Sequence, residues 1–184
     1  MTSARINEKN TAFFLVIALL LIFIMAARTP LDTDLWWHLR AGEETIRSGS
    51  PMTVDNFSFS RFNEPWTNHS WLSQVILYEI YEMTGFAGLS LFVSISAVLC
   101  MGIVSLQMPG KPIIKMFLLV FGGVVASVNW VPRPQILSLV LLALTGFILY
   151  QYQKKPDRWI WLLPVIFMIW GNLHGGYALS LIHI

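Results

Sequence analysis

Gly85-Phe-Ala-Gly-Leu-Ser-Leu-Phe-Val-Ser-Ile-Ser-Ala-Val-Leu-Cys-Met-Gly-Ile-Val-Ser-Leu-Gln107 carries no charged residue over 23 positions. As a helix it rises ~1.5 Å per residue, enough to cross a hydrocarbon layer of ~30 Å. Such a run costs little in lipid, because an α-helix satisfies its own backbone polar groups. The chain around it has the same character. Of its 184 residues, 55% are hydrophobic and 12% charged, about half the usual ~25% charged share of soluble domains. A net charge of +2, with no basic stripe, argues against nucleic acid as a partner. The one cysteine, Cys100, lies inside the apolar run and has no internal disulfide partner.

Upstream, Thr11 to Ala27 is 17 residues without charge, preceded by Arg5 and Lys9. A signal peptide is one reading, with Met25-Ala-Ala27 as the small-residue site. Signal cores usually run about 7–15 residues, however, and further spans follow here. An uncleaved first helix over about 11–27 is therefore expected. Downstream, Met108-Pro-Gly-Lys-Pro112 breaks the chain. A third span is expected over about 113–130, with Lys115 near enough to its start to snorkel. Val131-Pro-Arg-Pro134 closes it. A fourth span over about 135–152 ends at Gln153-Lys-Lys-Pro-Asp-Arg158. A fifth, over about 159–171, has only 13 residues and contains Pro164. Asn172-Leu-His-Gly-Gly176 follows, and a partial helix starts from about 175. Either a short helix ends at Asn172 or one helix is broken there; the first is expected. The chain stops inside an apolar run, which reads as the N-terminal portion of a longer protein.

The expected fold is thus an all-α membrane protein of about five or six transmembrane helices, with a long loop over 28–84. Basic residues set the expected orientation. With the N-terminus in the cytoplasm, the inner segments hold Arg5, Lys9, Lys111, Lys115, Lys154, Lys155 and Arg158, including every lysine in the chain. Eight of the ten acidic residues then fall in the 28–84 loop, which emerges on the non-cytoplasmic side of the cell membrane. Six of eight tryptophans lie on that side or at its boundary. An aromatic belt would populate both interfaces about equally, so the excess hints at a carbohydrate- or lipid-facing surface.

Within the loop, Thr33 or Asp34 can cap a helix that Gly49 stops. Leu35, Leu39, Gly42 and Ile46 share one face, and Glu43 and Arg47 are spaced to pair at i, i+4. This reads as an amphipathic helix lying on the membrane surface. A second short helix is expected from Trp71 to Thr84. The aromatics between them, Phe57, Phe59, Phe62 and Trp66, argue against a disordered linker.

Four constellations could carry chemistry. Asp32-Thr-Asp34 places two carboxylates where they can share a divalent cation such as Mg or Mn, and His38 lies one turn from Asp34, within reach of a shared ligand or proton. The plainer alternative has Asp34 capping the helix, Asp32 solvated and His38 at the interface. Arg133 is held between Pro132 and Pro134. It suits a phosphate, a lipid headgroup or a loop carboxylate. Asn172 and His174 sit beside glycines that permit close backbone approach. That segment is equally a helix C-terminus with glycine at C′. His69 belongs to Asn68-His-Ser-Trp71, with Asp55 upstream; Asn68-His-Ser70 and Asn56-Phe-Ser58 are formal glycosylation sequons.

Leu31-Asp-Thr-Asp-Leu-Trp-Trp-His-Leu-Arg-Ala-Gly42, followed by Gly49 and Asp55-Asn-Phe-Ser58, resembles the first outer loop of GT-C-type integral membrane glycosyltransferases. Catalytic subunits of oligosaccharyltransferase and protein O-mannosyltransferases share this layout, as do bacterial multi-pass proteins with Arg-Pro-Gln and Asn-Leu-His-Gly-Gly segments. Pro65-Trp-Thr-Asn-His-Ser-Trp71 sits where their second polar motif falls. The resemblance implies a transferase that moves a sugar from a polyprenyl-phosphate-linked donor to an acceptor at the non-cytoplasmic face. It implies Asp34 first, and Asp32 second, as base or metal ligand. Arg133 is a candidate for the lipid phosphate by location alone. The acceptor motifs that oligosaccharyltransferases carry near their C-terminus are absent. Two other classes follow from composition: a non-catalytic multi-pass assembly partner or degenerate relative, and a transporter. The latter is disfavoured because no charge lies at mid-span.

Overall fold

The computed structural model describes residues 2–178, with side chains from residue 11 onward. Helices are the regular elements among those residues, with no strand. Helix α1 runs Thr2–Ala26, α2 Leu35–Ser48, α3 Trp71–Ser105, α4 Pro112–Ala126, α5 Gln135–Lys154 and α6 Leu163–Leu173. Single 3-10 turns, Ser127–Asn129 and Arg158–Leu162, extend α4 and precede α6. Three helices are long and apolar enough to cross a membrane: Trp71–Ser105, Pro112–Asn129 and Gln135–Lys154. The apolar stretches Thr11–Ala26 and Arg158–Leu173 are shorter.

Helix α1 is expected from Thr11 but begins at Thr2, nine residues earlier. The polar residues ahead of the apolar run continue the same helix, since nothing in Thr2–Asn10 breaks it. The expected division of residues 71–107 is present inside α3. Gly85, at φ 64° and ψ −154°, is non-helical and separates 71–84 from the apolar segment after it. That backbone region is open essentially to glycine alone. The apolar run expected to resume near Gly175 lies mostly outside the described residues.

Ala18, Ile22 and Ala26 recur every four residues along α1 and pack against Val93, Ala97 and Met101 of α3, Leu119 of α4, Trp130 and Ile136. A second cluster joins α2 to the first half of α3 through Leu35, Leu39, Leu77 and Leu89. Here the sequence pattern is only partly realised. Leu35, Leu39 and Gly42 are buried as expected, together with His38, Ala41 and Thr45, whereas Ile46 is 42% exposed. The buried stripe leans toward His38 because α2 packs on α3 itself. Gly42 makes the approach possible: a Cβ there would sit 2.2 Å from the Gln74 carbonyl oxygen and 2.8 Å from the Tyr78 Cβ. The anticipated Glu43–Arg47 pair does not form. Arg40 bonds Glu43 and Arg47 bonds Glu44, both at i, i+3. These are exposed pairs of small energetic weight. Helix α2 ends at Gly49 in the left-handed conformation, as anticipated.

Candidate functional site

Asp32 and Asp34 lie between the end of α1 and the start of α2. Asp34 occupies the N-cap position of α2, yet its side chain makes no capping bond. It bonds Arg133 instead, Oδ2 to Nη1 at 2.7 Å. Asp32 does the local work: its Oδ1 accepts the Asp34 backbone N–H at 2.9 Å and Arg133 Nε at 2.7 Å. Asp32 is 8% exposed, Arg133 28% and Asp34 44%. Arg133 is presented by a stiff turn whose flanking Pro132 and Pro134 are fully buried. Of the three partners the sequence left open for Arg133, the loop carboxylate is the one in contact, and it contacts two. Among the described residues the Nη2 end of the guanidinium carries no bond. Burial pushes the Asp32 carboxyl up, but the Arg133 bond, the Asp34 N–H and the Arg133 charge outweigh it, so the net direction is down. A buried carboxylate with a guanidinium partner stays ionised.

His38 sits on the buried face of α2, one turn after Asp34, with its Nδ1 3.4 Å from Gln74 Nε2. Burial drives its pKa down to about 4; Asp34 and Asp32 oppose this, and Arg133 and His174 add to it. The ring is neutral at pH 7, as a proton acceptor must be. Asp32, Asp34, Arg133 and His174 thus each lie within electrostatic reach of His38. Gln74 in turn accepts from Asn68 Nδ2 at 2.7 Å through its Oε1.

The 172–176 segment reaches the same region. Helix α6 ends at Leu173, with His174 extended at φ −170° in the cap position. No glycine takes the left-handed C′ role anticipated there, because Gly175 and Gly176 have negative φ. His174 Nδ1 accepts the Gly176 N–H at 3.1 Å and lies 2.9 Å from Ser138 Oγ, which accepts Trp170 Nε1–H at 2.7 Å. A backbone N–H can only donate, so Nδ1 is an acceptor and the neutral ring carries its proton on Nε2. The His69 ring lies 6.3 Å from that of His174. Burial, then the His69 charge, lowers the His174 pKa. Asn172 takes Trp71 Nε1–H on its Oδ1 at 3.0 Å. Of the seven sequence-derived candidates, Asp32, Asp34 and Arg133 are ion-paired with His38 near them, His69 and His174 lie ring to ring, and Asn172 bonds Trp71 and the Met168 carbonyl apart from both groups.

Three residues at this end of the bundle escape sequence reasoning. Gln74 and Ser138 are polar residues at buried helix positions; a polar side chain inside an apolar periodic pattern is the signal that could have found them. Arg28 is the third. It donates to the Ser127 carbonyl and has no carboxylate partner among the described residues. It lines a cavity of about 220 Å³ with Thr29, Leu31, Ser90, Trp130 and Pro132. Leu31 and Pro132 are chain neighbours of Asp32 and Arg133, so the cavity adjoins the ion-paired cluster.

A divalent cation fits poorly. No group of three or more His, Cys, Asp or Glu converges on a metal position among the described residues. The two carboxylates already share one guanidinium, which fills the place between them with positive charge.

No family model, curated protein or solved structure matches the chain.

Proposed function

We propose that the chain acts as a multi-pass membrane glycosyltransferase of GT-C type, transferring a sugar from a polyprenyl-phosphate-linked donor to an acceptor. Its N-terminus lies in the cytoplasm and its 28–84 loop on the opposite face. One observation carries the reading. Asp34 is a half-exposed carboxylate aimed by Arg133, at the end of the bundle where the apolar part of α1 stops. A base there meets the headgroup of a membrane-embedded donor at the interface, where sugar, phosphate and water coexist.

The chemistry is displacement at the anomeric carbon. The acceptor hydroxyl oxygen forms a bond to C1, and its proton passes to Asp34. The bond from C1 to the phosphate oxygen breaks, and its electron pair leaves on the phosphate. Arg133 and Asp32 hold Asp34 in place. Arg28, which has no carboxylate partner among the described residues, is assigned to the leaving phosphate. No step is assigned to a metal. A non-catalytic role is favoured by one fact: the Asp32–Arg133 pair also ties two distant segments together, as a purely structural clamp would.

The test is transfer from undecaprenyl-phosphate glucose and undecaprenyl-phosphate mannose by the protein in lipid nanodiscs. Asp34→Asn is expected to abolish sugar release, and Arg28→Ala to raise the donor KM. Wild-type turnover in the Asp34→Asn protein removes Asp34 from the mechanism. A folded wild type that releases no sugar from either donor, together with normal complementation by the Asp32/Asp34 double alanine variant, favours the structural clamp.

A further inference from the structure

The loop between α2 and α3 is an ordered scaffold. Val54 and Pro65 form an antiparallel bridge. Asp55 N–H bonds the Glu64 carbonyl at 2.9 Å, Asn63 N–H the Asp55 carbonyl at 2.8 Å, and Trp66 N–H the Thr53 carbonyl at 2.8 Å. Asp55 folds its tip: Oδ1 accepts the Phe57 and Ser58 N–H groups at 2.8 and 2.9 Å, and Oδ2 accepts the Ser58 hydroxyl. This backbone sets Phe57 and Trp66 edge to face, with centroids 6.4 Å apart, and Trp66 against Trp37 of α2 at 6.0 Å. Trp37, Asp55, Phe57, Ser58 and Trp66 line an open hollow of about 280 Å³, near the lower limit of small-ligand sites (~300 Å³).

The geometry points to a sugar-ring subsite in this hollow, so that the acceptor of the proposed transfer is itself a glycoside or glycan. The inference rests on the transferase reading for the word acceptor, but not for the binding. Two aromatic side chains held by a hydrogen-bonded loop and a third on α2 offer rigid apolar surface at little ordering cost. A pyranose has the matching amphipathic form, with C–H faces for the rings and hydroxyls at the rim. Asp55 retains about one of a carboxylate's four lone-pair sites beyond the three donors it already holds, and this accepts a neutral hydroxyl. Its negative charge disfavours a phosphate or an anionic lipid headgroup. With three donors already spent on that charge, it is a weak trap for an ammonium group. The hollow also shares α2 with the proposed base, since Trp37 lies in the first turn of the helix that Asp34 precedes. The Trp37 ring lies against the His38 ring at 3.7 Å between centroids, and His38 feels the charge of Asp34.

Binding is read by intrinsic tryptophan fluorescence of the nanodisc-embedded protein, titrated with methyl β-glucopyranoside, methyl α-mannopyranoside, maltotriose and, as the cationic rival, choline chloride. Saturable glycoside binding is expected, weakened about tenfold in Trp66→Ala and in Phe57→Leu, the latter keeping the loop apolar. The titration contains no donor and no turnover, so its outcome is independent of the transfer chemistry. Unchanged melting temperatures establish that the variants are folded. Glycoside affinity that is equal in wild type and both variants overturns the subsite. So does saturation by choline alone, or no saturation by any glycoside up to ~100 mM, a concentration far weaker than millimolar affinity.

Discussion

Arg133 Nε lies 2.7 Å from Asp32 Oδ1, across 101 residues of sequence. This bond ties the turn before α5 to the segment leaving α1, and the same guanidinium steadies Asp34. The two aspartates therefore differ in kind. Asp32 is nearly enclosed, whereas Asp34 presents almost half of its side chain to solvent.

That difference predicts opposite outcomes for two substitutions. Arg133→Ala leaves the Asp32 carboxylate buried without its partner and is expected to cost ~3 kcal/mol of stability. Arg133→Lys recovers only part of this, because an ammonium cannot present the fork that reaches both carboxylates. Asp34→Asn removes one half-exposed partner and is expected to cost less than ~1 kcal/mol while abolishing transfer. Thermal unfolding in nanodiscs alongside a sugar-release assay separates the two effects.

Stability is expected to depend on pH through His38. Its pKa is about 4 in the fold and 6.5 in the unfolded chain. Between those values the unfolded state binds a proton that the folded state does not, so stability falls as pH drops through that window and is full above about 6.5. From pH 7.5 to 4.5 the loss is ~2–3 kcal/mol, and His174 adds in the same direction. Asp32 acts with the same sign only below its ordinary carboxylate range, since its folded pKa is depressed. The check is the melting temperature over pH 4.5–7.5. His38→Gln should flatten most of the slope, and an unaltered slope would assign the effect elsewhere.

Gly42→Ala is expected to lift α2 off α3. The added methyl meets backbone at Gln74, which cannot rotate away, so the cost should reach or exceed ~3 kcal/mol. Since α2 carries Asp34 at its start and His38 on its buried face, transfer should fall with stability. Cysteine pairs across the α2–α3 contact, scored by cross-linking yield, would report the separation directly.

Chelation is expected to leave transfer intact. Arg133 already supplies the positive charge between Asp32 and Asp34, and the donor set around them is too small to hold a hard cation by itself. Sugar release measured in EDTA and in added Mg²⁺ or Mn²⁺ should agree within a factor of about two, well under the tenfold that corresponds to 1.4 kcal/mol. Loss of turnover in EDTA that added metal restores would reverse this assignment.

Much of the candidate site was legible before any coordinates. The Asp-Thr-Asp segment, His38, Arg133 and the Asn-Leu-His-Gly-Gly segment stand out because polar groups next to apolar runs need a reason. Their partners were not legible. Arg133 had three chemically reasonable ones, and local spacing cannot choose among groups a hundred residues away. Asp34 likewise offered a local use, capping α2, that an ion pair displaced. Gln74 and Ser138 carry neither a charge nor a motif, and each gains a role only through the His38 and His174 rings they meet.

Helices, their breaks and their apolar character were determined by the sequence itself, since backbone hydrogen bonding, proline, glycine and uncharged runs act within a few residues of where they occur. Gly85 is the clearest case: the division it was expected to impose is written in its own φ and ψ. Which charges meet, how far the buried stripe of α2 leans toward His38 and which histidine is held neutral were decided only by tertiary structure. Those outcomes depend on the distances and desolvation that appear when remote segments pack together, and no local pattern encodes them.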